Sequence, residues 1–552
     1  MNKLEIIPLG GIGEFGMNCM GIRYRDEMIV IDTGMGFPEE TPYGVDISIP
    51  NFDFLEEYKD DLTALFLTHG HEDHIGATPY FLKKFNLPVY GSNLTMAFIE
   101  RKLEEHKMLN DVLLHRVKAN ETAKVGNFEV EFINASHSLV DCFSLVIKTP
   151  VGTVVHSGDY KIDDTPVIGK PYDLKTLGKY ADEGILALLA DSTNATVPGR
   201  TPSEKEVIPA FEEIFETAEG RIFVTTFSSS IHRLQIVLDI AHAFDKKVCV
   251  LGRSMMNNVE LTSDLNLLDI PPKTLVSLNE ARQTPDEDIV YLVTGSQGES
   301  RAVMWNLATQ KFKGLQIEKG DTVILSARII PGNEKRISKM IGAIYRRGGN
   351  IIEEKRRLIH VSGHAAQEDI RILTETAKPK FLVPIHGEYR MLFRHKEFAK
   401  NHMGFAEENV ILIENGDVLE LTENSARVIE NNEIGKTFID MDGFGEIEDI
   451  TVRERKKLAY SGVVSLVVTL DKQTKQLKSR PNIKIQGVSG IDPLNGTLQS
   501  ARDSVAEVIE NMSMQDLNDM TQMTENLRVH LMRFIQSETG TRPVVVPTIV
   551  EV

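Results

Sequence analysis

Three histidines and an aspartate fall within six residues of the tract Thr68-His69-Gly70-His71-Glu72-Asp73-His74-Ile75-Gly76, and nothing else in the chain restricts its fold as much. The tract directly follows the apolar run Ala64-Leu65-Phe66-Leu67, which reads as a buried strand. A strand end places His69 and His71 on the same side, and the turn into the next helix directs Asp73 and His74 at a neighbouring spot. Two groups of nitrogen and oxygen donors this close together suit two adjacent divalent ions sharing a bridging water. The apolar segments on either side argue against a solvated histidine-rich run.

One tract supplies too few ligands for two ions, so further donors are expected at other strand ends. His137 follows the run Phe128 to Asn134, Asp159 follows Val154-Val155 in Ser157-Gly158-Asp159, and His386 follows Phe381 to Ile385. Any one of them alone would more often be structural. Their shared position after apolar, β-branched runs makes them a set. Cys19, Cys142 and Cys249 are widely spaced and form no CxxC, which excludes a thiolate zinc site and a disulfide framework and points to a reducing compartment.

At 552 residues the chain exceeds what one core holds, since cores stop growing near ~250–300 residues, and about three domains are expected. Residues 1–200 repeat short apolar runs ending in Gly-, Asp- or His-containing turns. At Thr201-Pro202-Ser203-Glu204 an amphipathic helix opens, and parallel strand–helix alternation over 201–350 reads as an inserted open-sheet domain. The first texture returns over 351–423 with Leu358–His364 and Lys380–Gly387, completing a discontinuous first domain. Residues 424–450 read as a linker, and 451–552 as a small α+β domain with Val463–Leu470, a helix from about Leu498 to Met512, and Pro543–Val550. No stretch approaches the ~18–20 apolar residues a membrane span requires, and Met1-Asn2-Lys3-Leu4 runs into a strand instead of a signal peptide. A cytoplasmic protein without a membrane partner is expected.

The formal charge of −19 excludes nucleic-acid binding through bulk charge. Residues 325–360 are the local exception, with nine Lys/Arg against three acids. Taken alone, such a window reads as a solvated helix face.

With these motifs the sequence resembles the metallo-β-lactamase fold family, whose signature is this HxHxDH tract with a later His, a bridging Asp and a final His. The resemblance implies an α/β architecture built on a four-layer αββα sandwich. It implies one ion held by His69, His71, His137 and Asp159, and another held by Asp73, His74, Asp159 and His386. Asp32, in Ile31-Asp32-Thr33-Gly34, matches the family's first motif, an acid that orients ligands. Asp191 just before the insertion, and His364 in Val361-Ser362-Gly363-His364-Ala365 just after it, look like the motifs of the β-CASP branch, whose known substrates are nucleic acids. Within that branch Pro8-Leu9-Gly10-Gly11-Ile12-Gly13-Glu14, Thr294-Gly295-Ser296-Gln297-Gly298-Glu299, Ile330-Pro331-Gly332-Asn333-Glu334 and Arg542-Pro543-Val544-Val545-Val546-Pro547 are similar to the ribonuclease J family, and the match spans essentially the whole chain. Two strings depart from the pattern: Phe227-Ser228-Ser229-Ser230-Ile231-His232 has a third Ser where Asn is expected, and Ser326-Ala327-Arg328 is less serine-rich.

The resemblance implies a ribonuclease with 5′→3′ exonuclease and endonuclease activity, acting in RNA maturation, including rRNA processing, and in mRNA decay. Its cofactors would be two divalent ions, Zn²⁺ ahead of Mn²⁺, and its partners RNA, copies of itself in a dimer or tetramer joined through the C-terminal domain, and other RNA-degradation proteins. The two ions would activate the bridging water and neutralise charge on the phosphate, with Asp73 also orienting the nucleophile. His364 is expected either to hydrogen-bond the scissile phosphate or to protonate the leaving oxygen, its rival reading being a structural histidine. Ser229, Ser230 and Ile231, with the loop His360, Val361, Ser362, Gly363 and His364, are expected to bind a phosphate one or more nucleotides away. Together with the basic window they would form an RNA path. The rivals are another β-CASP or tRNA-processing nuclease, against which the terminal domain argues, and an RNA-binding paralogue without catalysis, against which the complete ligand set argues.

Overall fold

The computed structural model describes residues 2–37, 45, 47–330, 332–440, 445–447, 449–490 and 496–552. Met1, Pro331 of the Ile330–Glu334 motif, and 441–444 and 448 of the expected linker lie outside the described residues. The chain divides into two compact units, one built on Ser48–Lys436 with the N-terminal residues and the other on Thr437–Val552.

Two sheets facing each other form the sandwich of the first unit. One has eight strands, in the order Ala426–Asn431, Asp417–Leu421, Leu4–Gly10, Cys19–Tyr24, Glu27–Ile31, Leu62–Phe66, Val89–Gly91 and Leu114–Arg116. The other has six, in the order Phe381–Ile385, Ile185–Asp191, Thr153–His156, Cys142–Lys148, Phe128–Ala135 and Thr122–Val125. Strand periodicity divides the side chains between two cores. Phe128, Val130, Phe132, Phe143, Leu145 and Ile147 point inward to meet Ile6, Ile22, Ile29, Ile31 and Phe66 of the opposite sheet. Phe132 lies 6.0 Å from Phe66 and 5.4 Å from Phe143, ring centre to ring centre. Each such ring contributes roughly 1.5–3 kcal/mol by leaving water. Ile133, Val146, Val155 and Leu188 point outward, where Leu177, Ile370 and Leu373 of the helices Leu174–Glu183 and Gln367–Ala377 cover them. On the far side, helix Asn93–Glu105 packs on Val89–Gly91 and Leu114–Arg116. The arrangement is the four-layer αββα sandwich.

The insertion is a five-stranded, wholly parallel sheet in the order Lys247–Leu251, Ile289–Val293, Ile222–Thr225, Thr322–Leu325 and Asn350–Ile352. Two expected boundaries move. Residues 351 and 352 pair with Thr322–Leu325 and so belong to the inserted sheet instead of the returning first domain, because an apolar pair carries no mark of its strand partner. The linker expected at 424–450 is also corrected in part. Ala426–Asn431 is the edge strand of the eight-stranded sheet, Lys436–Asp440 is a strand, and a helix starts at Asp449. Most side chains of that edge strand are exposed, so it lacks the alternation that announces a strand.

The second unit contains the sheet Asn482–Gln486, Val463–Leu470, Val544–Glu551. Alternate residues Val464, Leu466, Val468 and Leu470 pack under Val505, Leu527 and Leu531 of the helices Thr497–Glu510 and Met520–Thr539. Among the described residues no helix is long and apolar enough to cross a membrane.

Strand direction decides where chemistry can occur. Glu27–Ile31 and Leu62–Phe66 are parallel, as are Thr153–His156, Ile185–Asp191 and Phe381–Ile385. Their C-terminal ends therefore share a rim, and the loops leaving that rim carry Asp32, the histidine tract, Asp159, Asp191 and His386.

Candidate metal centre

The rim loops bring together two overlapping groups of donors, His69, His71, His137 and Asp159 in one and Asp73, His74, Asp159 and His386 in the other. In the first, His71 Nδ1 lies 3.0 Å from His69 Nε2 and 3.2 Å from His137 Nε2, and both Nε2 atoms stand 3.8 Å from Asp159 Oδ2. In the second, His74 Nε2 lies 3.3 Å from Asp159 Oδ2 and 3.7 Å from Asp73 Oδ2, while His386 Nε2 lies 3.4 Å from Asp159 Oδ1 and 3.6 Å from Asp73 Oδ2. Asp159 is shared by both. All are buried except His71 and Asp73, which are partly exposed.

The opposite ring nitrogens are held by the surrounding chain, which determines which nitrogen faces inward. His74 Nδ1 contacts Asp32 Oδ2 at 2.7 Å, His69 Nδ1 contacts Thr68 Oγ1 at 3.1 Å, His137 Nδ1 contacts the Gly363 carbonyl at 2.8 Å, and His386 Nδ1 contacts Thr193 Oγ1 at 2.7 Å. Asp32 also accepts from the Thr68 N–H and hydroxyl, each at 2.8 Å. Close backbone approach completes the support. A Cβ on Gly34 would come within 1.6 Å of the Asp73 carbonyl oxygen, and one on Gly363 within 2.7 Å of the His137 ring, so both positions require glycine.

Charge is split across the centre. Burial, then the neighbouring His74, keeps His69 well below the ordinary histidine range, while burial alone dominates the lowering at His71 and His137. Burial also disfavours charge on His74 and His386, but Asp159 and its neighbours outweigh it, holding His74 well above its ordinary value and His386 at about 9. The Asp159 and Asp73 carboxyls lie below theirs, because nearby imidazolium groups overcome burial. Protons favoured on His74 and His386 thus balance the carboxylates of Asp159, which is buried, and Asp73, which is partly exposed.

The residues fit a pair of divalent ions. Asp159 Oδ1 and His386 Nε2 are buried with no hydrogen-bond partner, although both belong to donor groups with suitable ligand chemistry.

His364 and Asp191 stand beside this centre. His364 Nδ1 lies 2.8 Å from Asp191 Oδ2 and 3.9 Å from Asp159 Oδ2, and 21% of its side chain is exposed. Burial disfavours its charged form, but Asp191 and Asp159 raise it above the ordinary value. Asp191 Oδ1 accepts from the Thr193 N–H and hydroxyl, tying the acid to His386 as well.

The expected phosphate-binding residues divide. Ser229 and Ser230 precede helix Ile231–Ala243, and neither hydroxyl makes a hydrogen bond among the described residues. The Ser362 hydroxyl accepts from Asn194 and from the His364 N–H. His360 is half-buried and pushed down to about 3, by burial first and then by Arg233. The side chains of Ile231 and Val361 lie in the core, and the Ile231 N–H goes to the Ser229 carbonyl. In the basic window, Lys335, Arg336, Lys339 and Arg346 are exposed and form no ion pair among the described residues.

Several supporting residues were not foreseen. Thr68 and Thr193 sit beside motif residues, a positional hint of their role. Asn18, which donates to the Asp73 carbonyl at 3.0 Å, carries no local signal, and the string Ser326-Ala327-Arg328 gave no sign that Arg328 donates to Asn194 at 3.0 Å.

Comparison with known proteins follows the same division of the chain. Residues 12–196 match the metallo-beta-lactamase superfamily, 219–344 the ribonuclease J beta-CASP domain, 350–412 the Zn-dependent metallo-hydrolase RNA specificity domain, and 450–552 the ribonuclease J C-terminal domain. The chain is 39% identical to ribonuclease J of Synechocystis sp., over 98% of this chain and 86% of the relative. It is 33% identical to ribonuclease J2 of Bacillus subtilis, over 100% and 99% respectively. A crystal structure of a protein of unknown function from Enterococcus faecalis shares the fold, with a TM-score of 0.53 at 16% identity over 76% of this chain and 100% of that one.

Proposed function

The chain belongs to the ribonuclease J family, and from that membership we propose that this metal-dependent ribonuclease degrades RNA 5′→3′, also cuts internally, and acts in cytoplasmic RNA maturation and decay. The observation that carries the reading is the convergence of six further donor residues around Asp159, with its Oδ1 and the His386 Nε2 left without hydrogen-bond partners.

His69, His71, His137 and Asp159 would hold one ion, and Asp73, His74, Asp159 and His386 the other. Zn²⁺ is the expected metal, since imidazole and carboxylate donors suit it, and Mn²⁺ is the alternative. Bound there, the ions would supply positive charge for the phosphate oxygens and lower the pKa of the attacking water. The chain's own groups do the rest. Asp73 keeps 36% of its side chain exposed and orients the attacking water at the open side of the centre. Asp191 holds His364 through Nδ1, which leaves Nε2 to hydrogen-bond the scissile phosphate or deliver a proton to the leaving oxygen. The hydroxyls of Ser229 and Ser230, with the loop His360–His364, receive the terminal phosphate, and the exposed Lys335, Arg336, Lys339 and Arg346 follow the RNA backbone.

In the second unit, Val467, Val546 and Val550 are exposed around the edge strand Val544–Glu551, which supports self-association into dimers or tetramers.

Labelled RNAs of one sequence carrying a 5′-monophosphate, a 5′-triphosphate or no end (a circle) test the reading. A closed phosphate site admits a monophosphate more readily than a bulkier triphosphate, so monophosphorylated RNA should be degraded fastest, releasing mononucleotides. Equal rates on both linear RNAs, with products from internal cuts alone, would leave an endonuclease.

A further inference from the structure

Beneath the loop His360–His364 lies a group of ionised side chains removed from water. Lys161, Asp163, Glu204 and Arg233 are all buried, Arg233 fully. Taking an ion out of water costs several kcal/mol even after relaxation, and apolar residues of the same volume often give equal stability. Two cations and two anions in one core thus call for a role other than stability.

Their positions point to one. Arg233 lies three residues after Ser230, in helix Ile231–Ala243. It donates through Nη2 to Glu204 Oε2 at 2.8 Å, and through Nη1 to the Ile359 carbonyl at 2.5 Å and to the Ser326 hydroxyl. Ile359 is the residue immediately before His360, and the Ser326 hydroxyl donates to the same carbonyl at 2.7 Å. Glu204 stands 3.7 Å from Lys161 and gives its N–H to Asp163. Lys161 is two residues past Asp159, donates to the Pro202 carbonyl at 3.1 Å, and gives its own N–H to the carbonyl of Ser136, which precedes His137. Burial pushes the Glu204 carboxyl up, but Arg233 and then Lys161 hold it at about 2, so the group is an anion throughout the working range.

We infer that the chain Lys161–Glu204–Arg233 is a positioning device that sets the spacing between the metal centre and the loops that receive the 5′-phosphate, and so how many nucleotides are released per cut. One end is anchored beside Asp159 and His137, the other at Ser230 and Ile359. The segments joined belong to the sandwich and to the inserted sheet, and the planar fork of Arg233 binds two of them at fixed angles. None of the three touches substrate, so they act through the loops. The inference rests on the proposed 5′-end-dependent activity.

The test uses the full-length protein with Arg233→Lys, which keeps the charge and loses the fork, and the double variant Glu204→Gln/Arg233→Met, which removes one cation and one anion and leaves Lys161 with Asp163. The double variant guards against a folding failure caused by a stranded charge. Bound metal per chain should match the wild type, and cleavage of circular RNA should fall less than cleavage from a 5′-monophosphate, because Asp191 holds His364 independently of Arg233. On 5′-monophosphorylated RNA, kcat/KM should fall on the order of 10- to 100-fold, as expected when reacting groups are misplaced by ~1 Å. The products should broaden from mononucleotides to a mixture with dinucleotides. Wild-type product lengths and an unchanged ratio between linear and circular substrates, with a lower Tm alone, would overturn the inference and leave the functional reading intact. A wild-type protein that releases no mononucleotides from 5′ ends would overturn both.

Discussion

Replacing Asp32 with Asn alters one atom and should unbalance half of the metal centre. The carboxylate sits in a left-handed backbone position, φ 58°, where Asn is tolerated, so the turn should survive. Its Oδ1 accepts from the Thr68 N–H at 2.8 Å, and its Oδ2 contacts the Thr68 hydroxyl at 2.8 Å and His74 Nδ1 at 2.7 Å. If the Asn oxygen keeps the Thr68 N–H, its NH₂ faces His74 Nδ1 and forces that nitrogen to accept. The ring proton then moves to Nε2, the atom 3.3 Å from Asp159 and 3.7 Å from Asp73, where it blocks ligation. If the amide turns over, the buried Thr68 N–H loses its acceptor. Either arrangement forfeits a charge-assisted bond of about 1.5–3 kcal/mol. Loss of such an outer partner weakens metal affinity by roughly 10- to 100-fold. Asp32→Asn should therefore bind one ion nearly normally and the second about 10- to 100-fold more weakly, read by elemental analysis after equilibration against a graded series of chelator concentrations. RNA cleavage should recover at high metal. Two ions per chain at wild-type affinity would refute the tautomer argument.

Asp159→Ala removes the donor common to both groups, so both ions and all RNA cleavage should be lost while far-UV circular dichroism is unchanged; near-normal turnover would remove the two-ion assignment. Gly363→Ala places a methyl group within 2.7 Å of the His137 ring and 2.8 Å of the Ser138 nitrogen, and should cost about 1–3 kcal/mol of stability along with activity. Gly178→Ala is the control, because its Cβ would meet nothing closer than 4.0 Å in a helix interior, and its Tm should hold or rise. Acid should weaken the buried ionic group. Glu204 has its carboxyl depressed from 4.5 to about 2, so its contribution of about 3 kcal/mol is present above pH 4.5 and lost as pH falls towards 2. His232, also facing Glu204, is pushed from 6.5 to about 4 by burial and adds a loss between those values. The Tm gap between wild type and Glu204→Gln should narrow from pH 4.5 to pH 2; a constant gap would show that Arg233, Lys161 and His232 do not hold the carboxyl ionised.

The local order of residues was enough to determine the strands and the donors that follow them. An apolar run cannot face water, and a histidine tract directly after one must lie at a sheet edge, so the strand ending at Phe66 and the loops bearing His137, Asp159 and His386 were legible from residue type and spacing alone. The parallel sheet of the insertion was legible for the same reason, since its strands are continuous apolar runs separated by helices. The exposed strand Ala426–Asn431 was not, because polar side chains at a sheet edge carry no periodic signal and only pairing with Asp417–Leu421 makes them a strand. The resemblance marked Asp32 as an acid that orients ligands but not its pairing with His74, 42 positions away, and nothing marked the Gly363 carbonyl that holds His137 across 226 positions. The buried group of Lys161, Glu204 and Arg233 is the extreme case. Charged residues are ordinarily solvated, and only the closing of the insertion against the sandwich removes water from these and makes each one's charge depend on the others.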